Sequence, residues 1–214
     1  MSNEIGDSGV DHGGASRLTD CIGNQPIFSI CTEKLWSVPK KTTLGRVSEL
    51  SLLPLSQDPA LGIQPLQWSV ELWGTGNPWF SADDWQRFYT RAASKGVTDY
   101  LSWDPAGREQ EQIYIAVIEG EVAGAIALVD FDDVEEFRAL KPWVAAFVVD
   151  PVRRKTGVGS LMLTALEAKA RDFGIPELYL WTEDKKDFYA KRGYQLFAHR
   201  DYPEISIDVM HKKL

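Results

Sequence analysis

A run of seven apolar residues, Trp143–Val149, is followed after a short basic loop by a segment with helical periodicity. Pro142 and Pro151 bound the run, and its composition is typical of a strand covered on both faces of a sheet. From Val158 the apolar residues recur at helical spacing, which predicts an amphipathic helix ending near Gly174. The predicted apolar stripe of this helix consists of Val158, Leu161, Met162, Ala165 and Leu166. The sequence therefore predicts a buried strand that passes through a tight loop into a helix.

The loop between this strand and helix combines glycine with positive charge. Gly157 and Gly159 lie at the expected start of the helix, where free main-chain N–H groups converge and the helix dipole favours an anion. Arg153, Arg154 and Lys155 place positive charges beside that point. The loop therefore suits the pyrophosphate of a nucleotide-like cofactor, although a plain turn with solvated basic side chains has the same composition.

The spacing of the glycines shows which known phosphate-binding motif the loop matches. A dinucleotide-binding fingerprint requires a third glycine where this chain has Met162, so a nucleotide-binding oxidoreductase is excluded. The G-x-x-x-x-G-K-[ST] phosphate loop does not occur in the sequence. The remaining pattern, R-x-x-G-x-G at Arg154, Gly157 and Gly159, resembles the acetyl-CoA signature of the GNAT family of N-acetyltransferases.

Several other segments are similar to one bacterial branch of the same family. They are Trp68–Gly74, Pro142–Trp143, Leu178–Thr182, Phe188–Tyr194 and Tyr202–Leu214. The periodicities predict strand, two helices, three strands, helix, strand, helix and two strands, which is also the family's order of elements. The resemblance implies an α+β GNAT fold in α/β/α layers. Its mixed, mostly antiparallel central sheet would be splayed between the fourth and fifth strands, with helices on both faces.

The predicted domain covers residues 46–214 and follows an N-terminal extension, residues 1–45. The first sixteen residues of the extension are polar and rich in glycine and serine, which predicts disorder. A capping box at Ser81–Asp84 marks the start of the second helix. The predicted strands are 47–55, 113–118, 122–129, 143–149, 178–182, 194–198 and 205–210, and the predicted helices are 65–73, 82–92, 158–174 and 184–192.

The resemblance implies that acetyl-CoA is the co-substrate, and it assigns residues to it. The main-chain groups of Phe147, Val148 and Val149 would pair with the pantetheine arm in the slot between the fourth and fifth strands, and the Val148 N–H would stabilise the oxyanion. Thr156 stands where many members have Arg or Lys, so we expect a modestly weaker contact there. The pyrophosphate would be held by main-chain N–H groups of Arg154, Lys155, Thr156, Gly157, Val158, Gly159 and Ser160.

The sequence predicts one candidate general acid and leaves several candidates for the general base. Tyr189 is the expected general acid, because a tyrosine before the K/R-x-G-[FYW] turn often protonates the leaving thiolate in the family. A phenol with a pKa of about 10 is protonated at neutral pH, whereas a purely structural aromatic residue is the alternative. The fourth strand has no carboxylate, so the general base stays open. The candidates acting through water are Glu71, Asp130, Glu183 and His199.

Charge limits the classes of partner. The net charge of −8 and the pI of about 5.0 disfavour nucleic acids and anionic membranes. They suit a cationic amine of a small molecule or peptide as acceptor. An acidic loop could steer such an amine or simply be solvated; its carboxylates are Asp130, Asp132, Asp133, Glu135 and Glu136. Trp68, Trp73 and Trp143 are candidate walls of the acceptor site.

The sequence shows no pattern typical of membrane-spanning segments, a secretion signal or metal-binding residues. No apolar run approaches the roughly 20 residues that span a bilayer, and Met1–Gly14 does not resemble a secretion signal. The cysteines, Cys21 and Cys31, and the scattered histidines fit no zinc spacing, so we expect a cytoplasmic protein without a metal. Neither cysteine lies in the motifs, which argues against a covalent acyl-enzyme.

The predicted activity is acetyl transfer to a primary amine by direct attack in a ternary complex. The alternative is a non-catalytic acyl-CoA-binding module. The sequence leaves the oligomeric state open, although the resemblance allows a homodimer because dimers are frequent in the family.

Overall fold

A computed structural model describes residues 49–75, 79–94, 100 and 109–214. The elements follow the predicted order, with boundaries that differ from the predictions by a few residues. The extension 1–45 and its boundary lie outside the described residues and stay predictions. The elements are β1 (Leu50–Pro54), α1 (Ile63–Trp73), α2 (Ala82–Ala93), β2 (Glu111–Ile118), β3 (Glu121–Val129), β4 (Trp143–Val149), α3 (Val158–Asp172), β5 (Glu177–Thr182), α4 (Lys186–Ala190), β6 (Gln195–Asp201) and β7 (Ser206–Lys213), with short 3₁₀ turns at Pro59–Gly62, Glu135–Phe137 and Pro151–Arg153.

The strands form one mixed sheet in the order β1-β2-β3-β4-β5-β7-β6. Every neighbouring pair is antiparallel except β4 and β5, which run parallel and pair at a single position, Trp143 opposite Tyr179. The Tyr179 N–H donates to the Pro142 carbonyl over 3.0 Å at the same place. Beyond it the two strands diverge, which confirms the predicted splay between the fourth and fifth strands.

Helices cover both faces of the sheet, as predicted. Successive side chains of a strand point to opposite faces, and β2 accordingly contributes Tyr114 and Ala116 to one core and Ile113 and Ile115 to the other. The first core packs against α3 and the second against α2. Each face of the sheet therefore has its own apolar layer, with β4 between them.

The expected stripe of α3 was wrong at one position. Leu161 is 45% exposed, whereas Leu163 is 1% exposed and joins the core beside Met162 and Leu166. The helix is apolar over more than one stripe, so spacing alone did not decide which leucine faces the sheet. The predicted capping box of α2 is confirmed, because the Ser81 N–H donates to the Asp84 carboxylate over 2.9 Å and the Asp84 N–H donates to the Ser81 hydroxyl over 3.3 Å.

Candidate functional site

A cavity of about 1100 Å³ opens where β4 and β5 diverge. One end is lined by β4, by the loop before α3 and by α4. The other end is lined by aromatic residues of α1, α2 and β5 and by the loop after β3. Ala146, Phe147 and Val149 are only half-buried. The apolar run of β4 therefore covers a core at its start and lines a cleft at its end.

A bulge in β4 shapes the slot. The register between β3 and β4 shifts between Ala125 and Ala127, so that Ala146 and Phe147 together face one residue of β3. Ala146 has a φ of 46°, which is uncommon for a residue with a side chain. Bulges interrupt strand pairing and redirect the main chain. The regular hydrogen bonding between β4 and β3 is thereby interrupted where β4 lines the cavity.

The hydrogen-bond pattern shows which main-chain groups face the slot. The Asp150 N–H donates to the Ala123 carbonyl over 3.0 Å. Antiparallel pairs alternate between bonded and unbonded positions, so the main chain of Val148 bonds to β3, and that of Val149 faces the other way. Phe147, in the bulge, is likewise left unpaired with β3. The roles predicted for the Val148 main chain in pantetheine pairing and oxyanion stabilisation stay predictions, and this strand pairing favours Phe147 and Val149 for them.

The start of α3 presents unpaired main-chain donors. Lys155 and Gly157 both have positive φ, 63° and 96°, and the helix begins without a side-chain cap. The N–H groups of the first helical turn have no intrahelical partners. The Thr156 hydroxyl instead donates to the Arg153 carbonyl over 2.6 Å and tightens the turn. Of the predicted loop residues, the cavity is lined by Arg154, Lys155, Gly157, Gly159 and Ser160, but not by Thr156 or Val158.

Gly159 marks a narrow part of the slot. A Cβ atom added there would lie 3.5 Å from Val149, 3.6 Å from Phe147 and 3.7 Å from Phe188, all ordinary contact distances. A larger side chain would extend between these rings. The absence of a side chain thus leaves a passage from the α3 N-terminus to β4, which fits an extended phosphate-linked arm.

Tyr189 lies on α4 and lines the same cavity. Burial raises the pKa of its phenol, and the nearby charge of Asp132 raises it further. The hydroxyl is therefore a proton donor at neutral pH. The Tyr189 ring packs edge-on against Phe188 at 5.1 Å and against Tyr194 at 5.8 Å, which fixes its orientation.

Arg192 connects α4 with the start of α3. Its guanidinium lies 3.6 Å from the centre of the Phe188 ring and donates to the Phe188 carbonyl over 2.5 Å and to the Ser160 hydroxyl. It also lines the cavity. Sequence analysis did not identify this residue, because its contact with Ser160 joins positions 32 residues apart in the chain.

The carboxylates of the acidic loop have different surroundings. Three of the five are engaged by neighbouring groups, which leaves little free charge for steering. The contacts are the Tyr100 hydroxyl and the Gln110 N–H (3.0 Å) with Asp130, Arg138 with Glu135 (2.8 Å) and Arg200 with Glu136 (2.6 Å). The interpretation of this loop as a diffuse attractor for polycations is therefore not supported.

Asp132 and Asp133 both line the cavity, but Asp132 is half-buried whereas Asp133 is exposed. Burial, followed by the charge of Asp133, raises the pKa of Asp132 to about 8. Its main-chain oxygen accepts the Trp181 indole N–H over 3.1 Å, which holds the loop against β5. A carboxyl group that titrates near neutral pH in a cleft has the properties of a general base. Within the sequence nothing distinguished Asp132 from the other carboxylates of the loop.

The other candidate bases are less well placed. Glu71 is exposed on α1 and accepts from Gln67 over 2.9 Å, and His199 is exposed and paired with Asp208 at 2.8 Å. Glu183 lines the cavity but is exposed. Asp130 is held by the contacts already described.

The aromatic end of the cavity contains one of the three tryptophans expected there. Trp73 lines it and stacks on Trp85 at 5.3 Å, whereas Trp143 is 1% exposed and donates its indole N–H to the Leu140 carbonyl over 2.6 Å. Trp68 packs in the core of α1 and α2 and does not line the cavity. Trp79 and Trp181, which meet edge-on at 5.9 Å, are lining residues that sequence analysis missed.

The family of the chain is established by its sequence. Residues 79–194 match the model of the acetyltransferase (GNAT) family, so the chain belongs to this family. No curated protein sequence matches it significantly. Among the described residues there is no cluster of three or more His, Cys, Asp or Glu side chains arranged to bind a metal. In the same part of the chain, no helix has the length and apolar character that crossing a bilayer requires.

Solved structures share the fold at low sequence identity. A GNAT-family acetyltransferase from Staphylococcus aureus Mu50 is 17% identical with a TM-score of 0.54, covering 78% of this chain and 99% of its own. The aminoglycoside 6′-acetyltransferase type Ii is also 17% identical with a TM-score of 0.54, covering 77% and 96%. The PaiA N-acetyltransferase from Thermoplasma acidophilum, solved with coenzyme A, is 16% identical with a TM-score of 0.50, covering 79% and 100%. These similarities concern the fold.

Proposed function

We propose that this protein transfers the acetyl group of acetyl-CoA to a primary amine by direct attack in a ternary complex. The observation that carries the proposal is a single cavity that joins the gap between β4 and β5, the uncapped start of α3 and the hydroxyl-bearing ring of Tyr189. Membership of the acetyltransferase (GNAT) family supports it. A solved relative in fold carries coenzyme A.

Acetyl-CoA would lie along β4 with its pyrophosphate at the start of α3. The main-chain groups of Phe147 and Val149, which are not used by β3, would pair with the pantetheine arm. Arg154 donates to the Val149 carbonyl over 3.2 Å and would turn toward phosphate when the arm takes that carbonyl. Because the arm runs from α3 back along β4, the Phe147 N–H lies nearer the thioester. It is our proposed oxyanion donor.

Two side chains would move the protons. As the nitrogen–carbon bond forms, the Asp132 carboxylate accepts a proton from the attacking nitrogen. As the carbon–sulfur bond breaks, the Tyr189 hydroxyl donates a proton to the leaving sulfur. The products are an N-acetylated amine and CoA with a free thiol. Proton exchange with solvent then returns both side chains to their starting states.

The alternative, a non-catalytic acyl-CoA-binding module, would bind acetyl-CoA without turnover. The absence of a carboxylate from β4 favours this alternative, because no general base is then evident on that strand. Asp132 weakens the argument, because this carboxyl group of the loop after β3 lines the same cavity as Tyr189. Product formation from any amine by the wild-type protein would exclude the alternative.

Thermal unfolding with acetyl-CoA, CoA, NADH and ATP tests the binding half of the proposal. A ligand at about 100 times its Kd adds roughly 2.7 kcal/mol to the free energy of unfolding. At about 2–4 °C per kcal/mol for this size, the midpoint should rise by about 5–10 °C with acetyl-CoA and CoA only.

Variants of α3 sharpen this test. Gly159→Val extends a side chain between Phe147 and Phe188 and should abolish the shift. Leu161→Ala removes an exposed side chain from the same helix and should keep it. No shift with acetyl-CoA and CoA in the wild-type protein would overturn the proposed binding site.

A further inference from the structure

The cavity end away from the α3 N-terminus is lined by aromatic rings. Trp85 packs with Trp73 at 5.3 Å and with Phe80 at 5.0 Å, and Trp79 meets Trp181 at 5.9 Å. Rings from α1, α2 and β5 thus line a space continuous with the slot of β4. Such walls favour a flat, apolar group, because aromatic rings bury large areas and pack edge-on or offset.

Two glutamates at this end of the cavity are paired with arginines. Glu111 is paired with Arg91 at 2.9 Å, and Glu109 is paired with Arg138. Asp132 differs from these carboxylates, since it is half-buried and forms no ion pair with any cation in the described part of the chain. Asp133 also lines the cavity but is exposed, so the half-buried Asp132 is the less solvated carboxylate of this loop that a bound ligand can meet.

Asp132 is near both the aromatic end of the cavity and the proposed acid. Its main-chain oxygen is bonded to the Trp181 indole, and its charge raises the pKa of Tyr189. An amino group held at Asp132 would therefore lie near both the aromatic rings and the reacting thioester.

We infer that the acceptor is a primary amine with a single amino group carried on an aromatic body. Its ammonium form releases one proton to solvent before attack, and the neutral nitrogen then gives a second proton to Asp132 as the nitrogen–carbon bond forms. The ring lies among Trp79, Trp85 and Trp181, and the nitrogen is held by Asp132. This inference rests on the proposed acetyltransferase function and specifies its substrate class. A cation beside these rings gains further attraction from their faces.

Polycationic acceptors fit this cavity less well. Each additional ammonium group would find Glu109 and Glu111 already paired with arginines, and the other carboxylates of the lining, Asp133, Glu183 and Asp184, are exposed to water. A buried charge without a partner is strongly disfavoured. The structural similarity to an aminoglycoside acetyltransferase, at 17% identity, concerns the fold alone.

A panel of matched amines tests the substrate class, with product detected by mass spectrometry and released CoA measured as free thiol. The probes are phenethylamine, ethylamine, spermidine and the aminoglycoside kanamycin. We expect kcat/KM for phenethylamine to exceed that for each of the other three at least tenfold. Equal or better turnover of ethylamine, spermidine or kanamycin would overturn the inference while leaving the proposed function intact.

Binding separates the remaining outcomes. If acetyl-CoA binds but no amine is acetylated, binding of the amines themselves tests the acceptor class. Tryptophan fluorescence is then measured while phenethylamine or spermidine is added to the protein. Saturable quenching by phenethylamine and not by spermidine supports the acceptor class, and its absence overturns it. If acetyl-CoA itself does not bind, the proposed function fails and the inference fails with it.

Two variants test the contact with Asp132. With phenethylamine as the acceptor, Asp132→Asn should raise KM at least tenfold without changing the affinity for acetyl-CoA. Glu136→Gln removes the same charge from the same loop outside the cavity and should leave KM unchanged. Inhibition by the uncharged phenethyl alcohol should be equal in all three proteins. An equal rise of KM in both variants would show that the loop acts through its general field and would overturn the contact.

Discussion

The carboxyl group of Asp132 should set the pH dependence of acetyl transfer. Its pKa is raised from 3.8 to about 8, mainly by burial. A base with this pKa is about 1% ionised at pH 6, about 10% at pH 7 and about 90% at pH 9. Because only the ionised form accepts a proton, kcat/KM should rise about 90-fold between pH 6 and pH 9. Burial raises the pKa of Tyr189, so the acid stays protonated over the same interval.

The assay needs an acceptor that does not titrate itself. O-benzylhydroxylamine carries a ring and a primary amino group that stays uncharged over this pH range. In Asp132→Asn, kcat/KM should fall by about 10²–10⁴-fold at pH 9, and the rise near pH 8 should disappear. Glu136→Gln should keep the wild-type profile. A flat wild-type profile, or a break near pH 8 that survives in Asp132→Asn, would refute Asp132 as the base.

The raised pKa of Asp132 should also affect how the free energy of unfolding depends on pH. Between pH 3.8 and about pH 8 the folded protein keeps a proton on Asp132 that the unfolded chain releases. The folded state then binds more protons, so this group lowers the free energy of unfolding as pH rises. Asp132→Asn should remove that loss. Because the cavity is open to water, we expect a gain of only about 1–2 kcal/mol at pH 9, measured by urea unfolding at pH 5, 7 and 9.

Three further predictions concern the acid, the sheet and a buried ion pair. Tyr189→Phe should lower kcat about 10²–10³-fold, as measured by single-turnover kinetics. The Kd of acetyl-CoA, measured by calorimetry, should not change. Full activity of the variant would exclude the Tyr189 hydroxyl as the acid and leave the ring only a role in packing. Gly124→Ala should cost about 2–4 kcal/mol in urea unfolding, because the added Cβ would lie 2.4 Å from the Val148 carbonyl oxygen; an unchanged midpoint would contradict this packing of β3 on β4. Lys212→Met should cost about 3 kcal/mol at pH 7, since it leaves the buried Glu167 carboxylate without the ammonium now 2.6 Å away and with only the more distant Arg171 guanidinium at 3.8 Å; an unchanged midpoint in urea unfolding would contradict this role of the ion pair.

The sequence by itself determined the elements and their order. The apolar run Trp143–Val149, the capping box at Ser81 and the helical spacing after Gly157 are local patterns. Local patterns predict secondary structure because each depends on residues within one or two turns. The glycine loop also predicts which part of the chain would hold acetyl-CoA, because the proposed phosphate contacts come from adjacent main-chain N–H groups.

Tertiary structure decided what depends on pairing between distant residues. The register of β4 on β3 gives the Val148 main chain to the sheet and leaves Phe147 and Val149 for the slot. No local pattern carries that information, because a shift of one position exchanges the two sets. Asp132 likewise lies in a loop that is bonded to Trp181, 49 residues later in the chain. Burial then raises its pKa, and burial is a property of the folded chain.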